Sequence, residues 1–388
     1  MSKQIIIASD SFKGSATSKE VGSYIAKGIH SLYPEYQTHI FSIADGGEGT
    51  VEAVMAALPG EKVTLPVRGP LNETVQAMYG LIEQGQTAII EMAQASGLTL
   101  VREDKQNIMK ATTFGTGQLI LDAINRGVRK IYIGIGGSAT NDGGMGMAQA
   151  LGVKFLDGKD QALSGNAQNL KAIAQIDLTK MKVNPKTIEI IILSDVNNPL
   201  CGENGAAKVF GSQKGAKANQ IKILDEGLQH YAEKLKEVYN RDFASIPGAG
   251  AAGGLGAGLM AFLNATSKSG IDEILQLIEI EPAIQMADLV ITGEGRIDGQ
   301  SLNGKTPIGI ARIAKKYSVP TIAIVGSQSL DIEAVYQAGI AGVFDIINQP
   351  MTLEQAIQQT PKLVEATAKN AISIYGALVE NNNNRKSV

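Results

Sequence analysis

Acidic residues recur in this sequence in glycine-containing loops at the ends of predicted strands. They are Asp10, Asp45, Glu48, Asp142, Asp195, Glu294 and Asp298, and the accompanying cations are Lys13, Arg296 and Lys305. Magnesium takes one or two carboxylates together with phosphate oxygens, and cations and backbone amides stabilise a phosphoryl group in transfer. A single acid can equally well cap a helix. The recurrence favours phosphoryl transfer from a magnesium nucleotide.

The stretch from residue 291 to 306 concentrates this chemistry. An apolar strand leads into a loop that carries Glu294, Arg296 and Asp298, and a helix follows. Proteins of the α/β class place ligands beyond the carboxyl ends of their strands. We therefore predict that this loop contributes charged groups to a ligand site.

Residues 299–306 of the same stretch satisfy the Walker A pattern for phosphate binding. A true P-loop needs its first glycine directly after the strand, whereas here six residues, 293–298, come between them. The spacing therefore argues against a P-loop fold. Gly304 and Lys305 remain candidates for an anion site, because a helix begins there and helix N-termini bind anions.

A second motif, Gly134-Ile-Gly-Gly-Ser-Ala139, is close to the dinucleotide-binding fingerprint, and Asp157 follows at a suitable distance. Residues 140–144 prolong the loop before its helix, which weakens the match. A nicotinamide-dependent hydroxy-acid dehydrogenase is therefore kept only as an alternative.

Histidine and cysteine offer no competing site. His30, His39 and His230 lie outside the glycine clusters and lack metal-ligand spacing. Cys201, the single cysteine, has no histidine near it in the sequence and excludes an internal disulfide. We interpret all four as structural residues.

The composition limits the classes of partner that the protein is expected to bind. The formal net charge is −3 and the pI is about 5.8, with no cluster of basic residues of the kind that nucleic acid binding requires. The sequence shows neither a signal peptide nor a membrane-spanning segment. We expect a cytoplasmic protein, monomeric or homodimeric, with small-molecule ligands and no nucleic acid or membrane partner.

The order of predicted elements indicates an α/β fold with two domains. Both ends of the chain show strand–helix units, whereas residues 62–92 show short alternating segments that predict a β-rich start to another domain. We predict a doubly wound, flavodoxin- or Rossmann-like parallel-sheet domain from residues 1–66 and 285–388. A glycine-rich α/β domain, residues 67–284, would be inserted into it, with the active site in the cleft between them.

Five motifs, in order, resemble those of the type I bacterial glycerate kinases. They are Ser9-Asp-Ser-Phe-Lys-Gly14, Ala44-Asp-Gly-Gly-Glu-Gly-Thr50, Gly136-Gly-Ser-Ala-Thr-Asn-Asp-Gly-Gly144, Asp195-Val-Asn-Asn-Pro-Leu-Cys-Gly202 and Gly293-Glu-Gly-Arg-Ile-Asp298. The resemblance covers about residues 3–380. It implies two α/β domains and ATP-dependent phosphorylation of D-glycerate at the 2-hydroxyl, giving 2-phosphoglycerate. Phosphorylation of the 3-hydroxyl and a non-catalytic acid-binding protein remain alternatives.

Roles are assigned to the motif residues as hypotheses. Asp195 or Asp298 would be the general base or a magnesium ligand, with Glu294 assisting; Arg296 or Lys13 would pair with the glycerate carboxylate or the phosphates. The candidate ATP-binding residues are Gly136, Gly137, Ser138, Asn141, Asp142, Gly253, Gly254 and Lys305. The candidate substrate-binding residues are Asp10, Ser11, Lys13, Asp45, Glu48 and Arg296.

Overall fold

The computed structural model describes residues 2–299 and 304–386. Its strands are β1 (Gln4–Ser9), β2 (Gln37–Ile40), β3 (Gly60–Arg68), β4 (Thr74–Ile82), β5 (Thr87–Glu91), β6 (Lys130–Gly134), β7 (Lys154–Leu156), β8 (Gln175–Asp177), β9 (Glu189–Leu193), β10 (Thr266–Lys268), β11 (Leu289–Gly293), β12 (Arg296–Ile297), β13 (Thr321–Val325), β14 (Ser327–Gln328) and β15 (Ile340–Asp345). Its α-helices are α1 (Ser18–His30), α2 (Thr50–Ala57), α3 (Ala93–Ser96), α4 (Phe114–Asn125), α5 (Met145–Ala150), α6 (Ala206–Phe210), α7 (Ala218–Tyr239), α8 (Ala251–Leu263), α9 (Gly270–Leu277), α10 (Ile280–Gln285), α11 (Thr306–Lys316), α12 (Glu333–Gln337) and α13 (Leu353–Lys386).

Residue contacts divide the chain into two compact units. The first unit comprises Met1–Asp45, Glu52–Ala57 and Ile271–Val388, and the second comprises Gly46–Val51 and Leu58–Gly270. The first unit thus draws on both ends of the chain. The domain limits given above, at residues 66–67 and 284–285, stay a prediction.

The first unit contains a parallel sheet whose strand order is β15-β13-β11-β1-β2. This is the flavodoxin-like order of doubly wound folds, in which the sequence of strands reverses beside the first strand. The reversal lies between β1 and β11. The predicted α/β class and the parallel sheet are confirmed.

Helices cover both faces of this sheet, as strand geometry requires. Side chains alternate across a strand, so Ile324 of β13 joins a core with α1 and α13, whereas Ala323 and Val325 join another with α11 and α12. Both faces are therefore apolar, and polar side chains are left for the strand ends.

The start of α1 fixes the loops around it. Thr17 and Glu20 form the N-terminal capping box, with the Thr17 hydroxyl accepting from the backbone N–H of Glu20. The Ser18 hydroxyl donates to the Ser9 carbonyl at 2.7 Å and accepts from the Ile43 N–H at 2.8 Å. The end of β1 and the segment after β2 are thereby held together, which positions Asp10 and Asp45.

The second unit contains a mixed sheet with the order β10-β9-β6-β5-β4-β3. Strands β3, β4 and β5 are antiparallel neighbours, and the pairs β5–β6, β6–β9 and β9–β10 are parallel. The predicted β-rich start is confirmed in β3 and β4. The loops after β6 and β9 carry the residue 136–144 motif and Asp195.

Candidate active site

The first cluster of charged residues lies where the strand order reverses in the first unit. Asp10 follows β1 and Glu294 follows β11, and the two strands end in register at Ser9 and Gly293. The Asp10 N–H donates to the Gly293 carbonyl at 2.9 Å. Such a topological switch point is where open α/β sheets bind their ligands.

Asp10 titrates well above the usual range of a carboxyl group. Its carboxylate accepts from the Ser11 N–H at 2.6 Å and from the Thr306 hydroxyl at 3.2 Å. Burial and repulsion from Asp45, with a smaller contribution from Glu294, raise the pKa of Asp10 to about 7. A carboxyl group with this pKa exchanges a proton readily near neutral pH.

Glu294 pairs with a cation at the start of a helix. Its carboxylate, which is buried, lies 3.0 Å from the ammonium group of Lys305, which is one-third exposed. Lys305 is the N-cap residue of α11, and Pro307 lies in the first turn. The cluster therefore combines acids with a lysine and the positive end of a helix dipole, which attract anions.

We call Asp10, Asp45, Glu294, Lys305 and Thr306 the switch-point cluster. Its backbone is closely packed, since a Cβ atom on Gly293 would lie 2.0 Å from the Ile324 carbonyl oxygen. Only glycine fits at this position in the loop that presents Glu294. Thr306 was not among the predicted site residues, although it begins the predicted anion-binding helix.

The Walker A match is not supported by the described part of the loop. Strand β12 intervenes between β11 and Gly299 and pairs with β14. Residues 300–303 of the match lie outside the described residues.

Three further candidates of the first unit, Arg296, Asp298 and Lys13, lie in the segments that follow β11 and β1. Arg296 is exposed, and its Nε is 3.5 Å from an Asp298 carboxylate oxygen. Lys13 is exposed in the loop after β1, with its backbone nitrogen 3.6 Å from the position of a Cβ on Gly295. The loops after β1 and β11 are thus neighbours. Glu48, in contrast, is an exposed residue of the second unit.

Asp142 of the second unit is fully buried in the residue 136–144 motif. Its carboxylate accepts from the Thr113 N–H and hydroxyl, both at 2.8 Å, and from the N–H groups of Gly144 and Gly146, both at 3.1 Å. Burial raises the pKa of Asp142, and these hydrogen bonds oppose the shift. The side chain therefore organises the loop that carries it.

Lys214 adjoins the same motif and was absent from the predicted set. Its buried ammonium group donates to the Ser138 hydroxyl at 2.7 Å and to the Thr140 carbonyl at 2.8 Å. Burial lowers the pKa of Lys214 to about 7, and the Asp142 charge opposes this. The one signal in the sequence is its place in a short segment between Gly211 and Gly215.

The two predicted ATP-binding glycine loops of the second unit contact each other. The Gly143 N–H donates to the Gly253 carbonyl at 3.0 Å. Gly253 and Gly254 have φ values of +68° and +89°, and a Cβ on Gly253 would lie 2.0 Å from the Thr140 carbonyl oxygen. Glycine is required there for both conformation and space.

Exposure differs along the residue 136–144 motif. Gly136 and Gly137 are exposed, whereas Ser138, Asn141 and Asp142 are buried. The exposed glycines are the members of this predicted set whose backbone a ligand can reach most directly. Asp195, after β9, is half-buried.

Comparison with known proteins decides the family. The model of the glycerate kinase family matches residues 5–376. A glycerate kinase of Halalkalibacterium halodurans is 48% identical over 94% of this chain and 96% of its own length. The chain belongs to the glycerate kinase family. The resemblance noted in the sequence is thereby confirmed, as is the prediction of a kinase.

Two further glycerate kinases are similar to this glycerate kinase family member over nearly its whole length. The glycerate 2-kinase of Escherichia coli K12 is 47% identical over 92% of this chain and 93% of its own. A crystal structure described as a glycerate kinase 2 of Salmonella typhimurium LT2 has a TM-score of 0.85, with 42% identity, and the match covers 98% of this chain and 100% of the other. The α/β fold is therefore shared with this structure.

Within residues 2–299 and 304–386, no group of three or more His, Cys, Asp and Glu residues is arranged to hold a metal ion. None of the helices in the same part of the chain has the length and apolar composition needed to cross a membrane.

Proposed function

We propose that this protein phosphorylates D-glycerate with ATP and releases 2-phosphoglycerate. Support comes from its family and from the glycerate 2-kinase of Escherichia coli, which is 47% identical. The observation in the structure that carries the proposal is the switch-point cluster. It combines a carboxyl group whose pKa is about 7 with a lysine at a helix N-terminus.

Asp10 would accept the proton of the 2-hydroxyl group as its oxygen attacks the γ-phosphorus. A base whose pKa lies near the working pH is suited to this transfer, because it is available without being too weak. The new bond joins the 2-oxygen to the γ-phosphorus, the bond from that phosphorus to the bridging oxygen breaks, and ADP leaves. Lys305 and the N-terminus of α11 would stabilise the charge on the phosphoryl oxygens.

Magnesium fits the acids of this cluster. The ion needs one or two protein carboxylates, because phosphate oxygens and water complete its octahedron. Burial and, after it, the charge of Asp45 raise the pKa of Asp10, and a dication on Asp45 would offset that charge. Asp45 would hold the ion and leave Asp10 to act as the base, with Asp195 and Asp298 as the predicted alternatives. When bound, it supplies neutralisation of phosphate charge.

Arg296 and Lys13 would hold the glycerate carboxylate. Both side chains are exposed in the first unit, in segments that follow the neighbouring strands β1 and β11. The planar guanidinium group matches a carboxylate with two hydrogen bonds. For ATP, the exposed backbone of Gly136 and Gly137 is the part of the residue 136–144 motif that we favour, with the buried residues shaping it.

A coupled assay of D-glycerate with MgATP tests the proposed reaction. We expect ADP to form only when glycerate is present, and phosphorus NMR of the product to show 2-phosphoglycerate. A product phosphorylated at the 3-position would contradict the regiochemistry. Reduction of a nicotinamide cofactor without ATP, or glycerate binding without ADP formation, would contradict a kinase.

The choice among the acids is tested separately. Loss of a general base costs at least about 10²-fold in rate. Asp10→Asn is therefore expected to lose at least that factor. If Asp195→Asn or Asp298→Asn loses it instead while Asp10→Asn stays within about threefold of wild type, the base is not Asp10.

A further inference from the structure

We propose that the second unit carries a binding site for a small hydroxylated anion, in a cavity of about 250 Å³. The walls of this cavity include Arg68, Lys110, Asn72, Gln149, Asn166 and Phe114. None of them belongs to the residues assigned above to substrate, nucleotide or metal. We call this space the Arg68–Lys110 cavity.

The charge of the lining selects an anion. Arg68 and Lys110 contribute two cations, and no Asp or Glu is among the described residues that line the cavity. The Arg68 guanidinium carbon lies 3.9 Å from the centre of the Phe114 ring. This cation–π contact holds the guanidinium group against the ring, and its N–H groups can donate to a ligand.

A helix begins at the same wall. Phe114 is the first residue of α4, which extends for 12 residues. The donors at this helix start are already used, since the Thr113 N–H donates to Asp142 and the Phe114 N–H to the Thr112 hydroxyl, so the charge offered to a ligand is that of Arg68 and Lys110. Arg68, at the end of β3, is anchored beside it, since its backbone N–H donates to the Gln118 side chain at 2.7 Å.

A buried amide oxygen points to a hydroxyl group on the ligand. Asn166 is 8% exposed, and its Oδ1 has no hydrogen-bond partner among the described residues. A buried acceptor gains from a donor, so a ligand hydroxyl that reaches it would be favoured. Gln149 is already held, since its Nε2 donates to the Leu163 carbonyl at 2.7 Å.

Size completes the description of the ligand. A volume of about 250 Å³ exceeds the space of a single water, for which about 30 Å³ suffices. It accommodates a molecule of a few carbon atoms with its charged group. Hydroxy acids and the phosphate esters of hydroxy acids share the two required features, a negative charge and a hydroxyl or acidic proton donor.

Calorimetric titration of the full-length protein tests the site. D-Glycerate, 2-phosphoglycerate and inorganic phosphate are titrated into wild type, Arg68→Met, Lys110→Met and the control Lys186→Met. Lys186 is an exposed lysine of the same unit, outside the cavity. We expect each cavity variant to weaken binding of at least one organic anion about tenfold, and Lys186→Met to bind like wild type.

The kinetic constants show which organic anion the Arg68–Lys110 cavity binds. If the KM for glycerate rises together with the calorimetric Kd in the cavity variants, the cavity takes the acceptor itself. If only 2-phosphoglycerate binding weakens and glycerate turnover is unchanged, the cavity takes the phosphate ester; both results support the site. Equal affinities in all four proteins, or binding of inorganic phosphate alone, would overturn it. The proposed kinase reaction would survive either failure, because the ADP assay does not depend on these variants.

Discussion

Each of the two units contains an aspartate in a loop after a strand and a lysine that contacts such a loop, but the two carboxylates are satisfied in different ways. Asp142 accepts four hydrogen bonds inside the second unit. Asp10 accepts two in the first unit and is repelled by Asp45. A carboxylate with four internal donors has little capacity left for a ligand, whereas one beside like charge gains from a cation or a proton.

The lysines differ in the same sense. Lys305 is one-third exposed and forms an ion pair with Glu294. Lys214 is buried and donates to a hydroxyl and a backbone carbonyl of the residue 136–144 motif. The comparison separates groups placed to meet a ligand from groups that hold a loop in shape. Sequence position alone does not separate the two carboxylates, because both lie in glycine-containing loops after strands.

The largest expected effect is that of Asp10→Asn on turnover. If Asp10 accepts the substrate proton, its amide removes the base and kcat falls by about 10²–10⁴-fold. Steady-state kinetics with saturating glycerate and MgATP give the measurement. Asp331→Asn, an exposed aspartate of the same unit, is the matched control and is expected to retain activity. If kcat falls less than about threefold in Asp10→Asn, Asp10 is not the base, and the proposed difference in role between Asp10 and Asp142 is wrong.

Asp142→Asn is expected mainly to lower the free energy of unfolding. An amide has one acceptor oxygen, so at least one of the four donors loses its partner in a buried site, at a cost of about 3 kcal/mol. Chemical denaturation measures the free energy of unfolding. Asp122→Asn is the control, because Asp122 binds Tyr79 and Arg126 at a half-exposed position. If both variants lose the same free energy, burial of Asp142 has no special role.

Some of this arrangement could be predicted from the sequence. Parallel strands bring their carboxyl ends to one edge, so the recurrence of acids after predicted strands could indicate a shared site, and the structure places Asp10 and Glu294 at one such edge. The Thr17–Glu20 capping box was readable because it depends on four consecutive positions. These features rest on local patterns and on one rule of sheet topology.

Other features depend on tertiary packing and escaped prediction. Lys214 lies in a short 3₁₀ segment, and only the fold brings its ammonium group to Ser138. The motif that contains Asp142 reads as uniformly polar, yet the structure exposes Gly136 and buries Asn141. Which side of a glycine loop faces solvent is decided by the chain packed against it, here Gly253, more than 100 residues away.

Lys214→Met tests the buried lysine through pH. Its pKa is lowered to about 7 in the folded protein and is about 10.4 in an unfolded chain. Between these values the unfolded state binds the extra proton, so stability rises with pH by about 1 kcal/mol per unit. Denaturation of wild type and variant from pH 7 to 10 should show this slope in wild type and its loss in Lys214→Met. Equal slopes in wild type and Lys214→Met would mean that burial does not lower the pKa of Lys214.

Asp45→Asn gives the most specific effect, a change in the pH dependence of the reaction. The Asp45 charge raises the pKa of Asp10, so its removal lowers that pKa and makes the base available at lower pH. Because the unprotonated form of Asp10 is the active one, the rising limb of kcat/KM near pH 7 should move to lower pH. Asp345→Asn, an acid at the end of β15 in the same sheet, is the control and should leave the limb in place. If the limb does not move in Asp45→Asn while substantial activity is retained, the titration belongs to another acid. The repulsion that distinguishes Asp10 from Asp142 would then have no kinetic consequence.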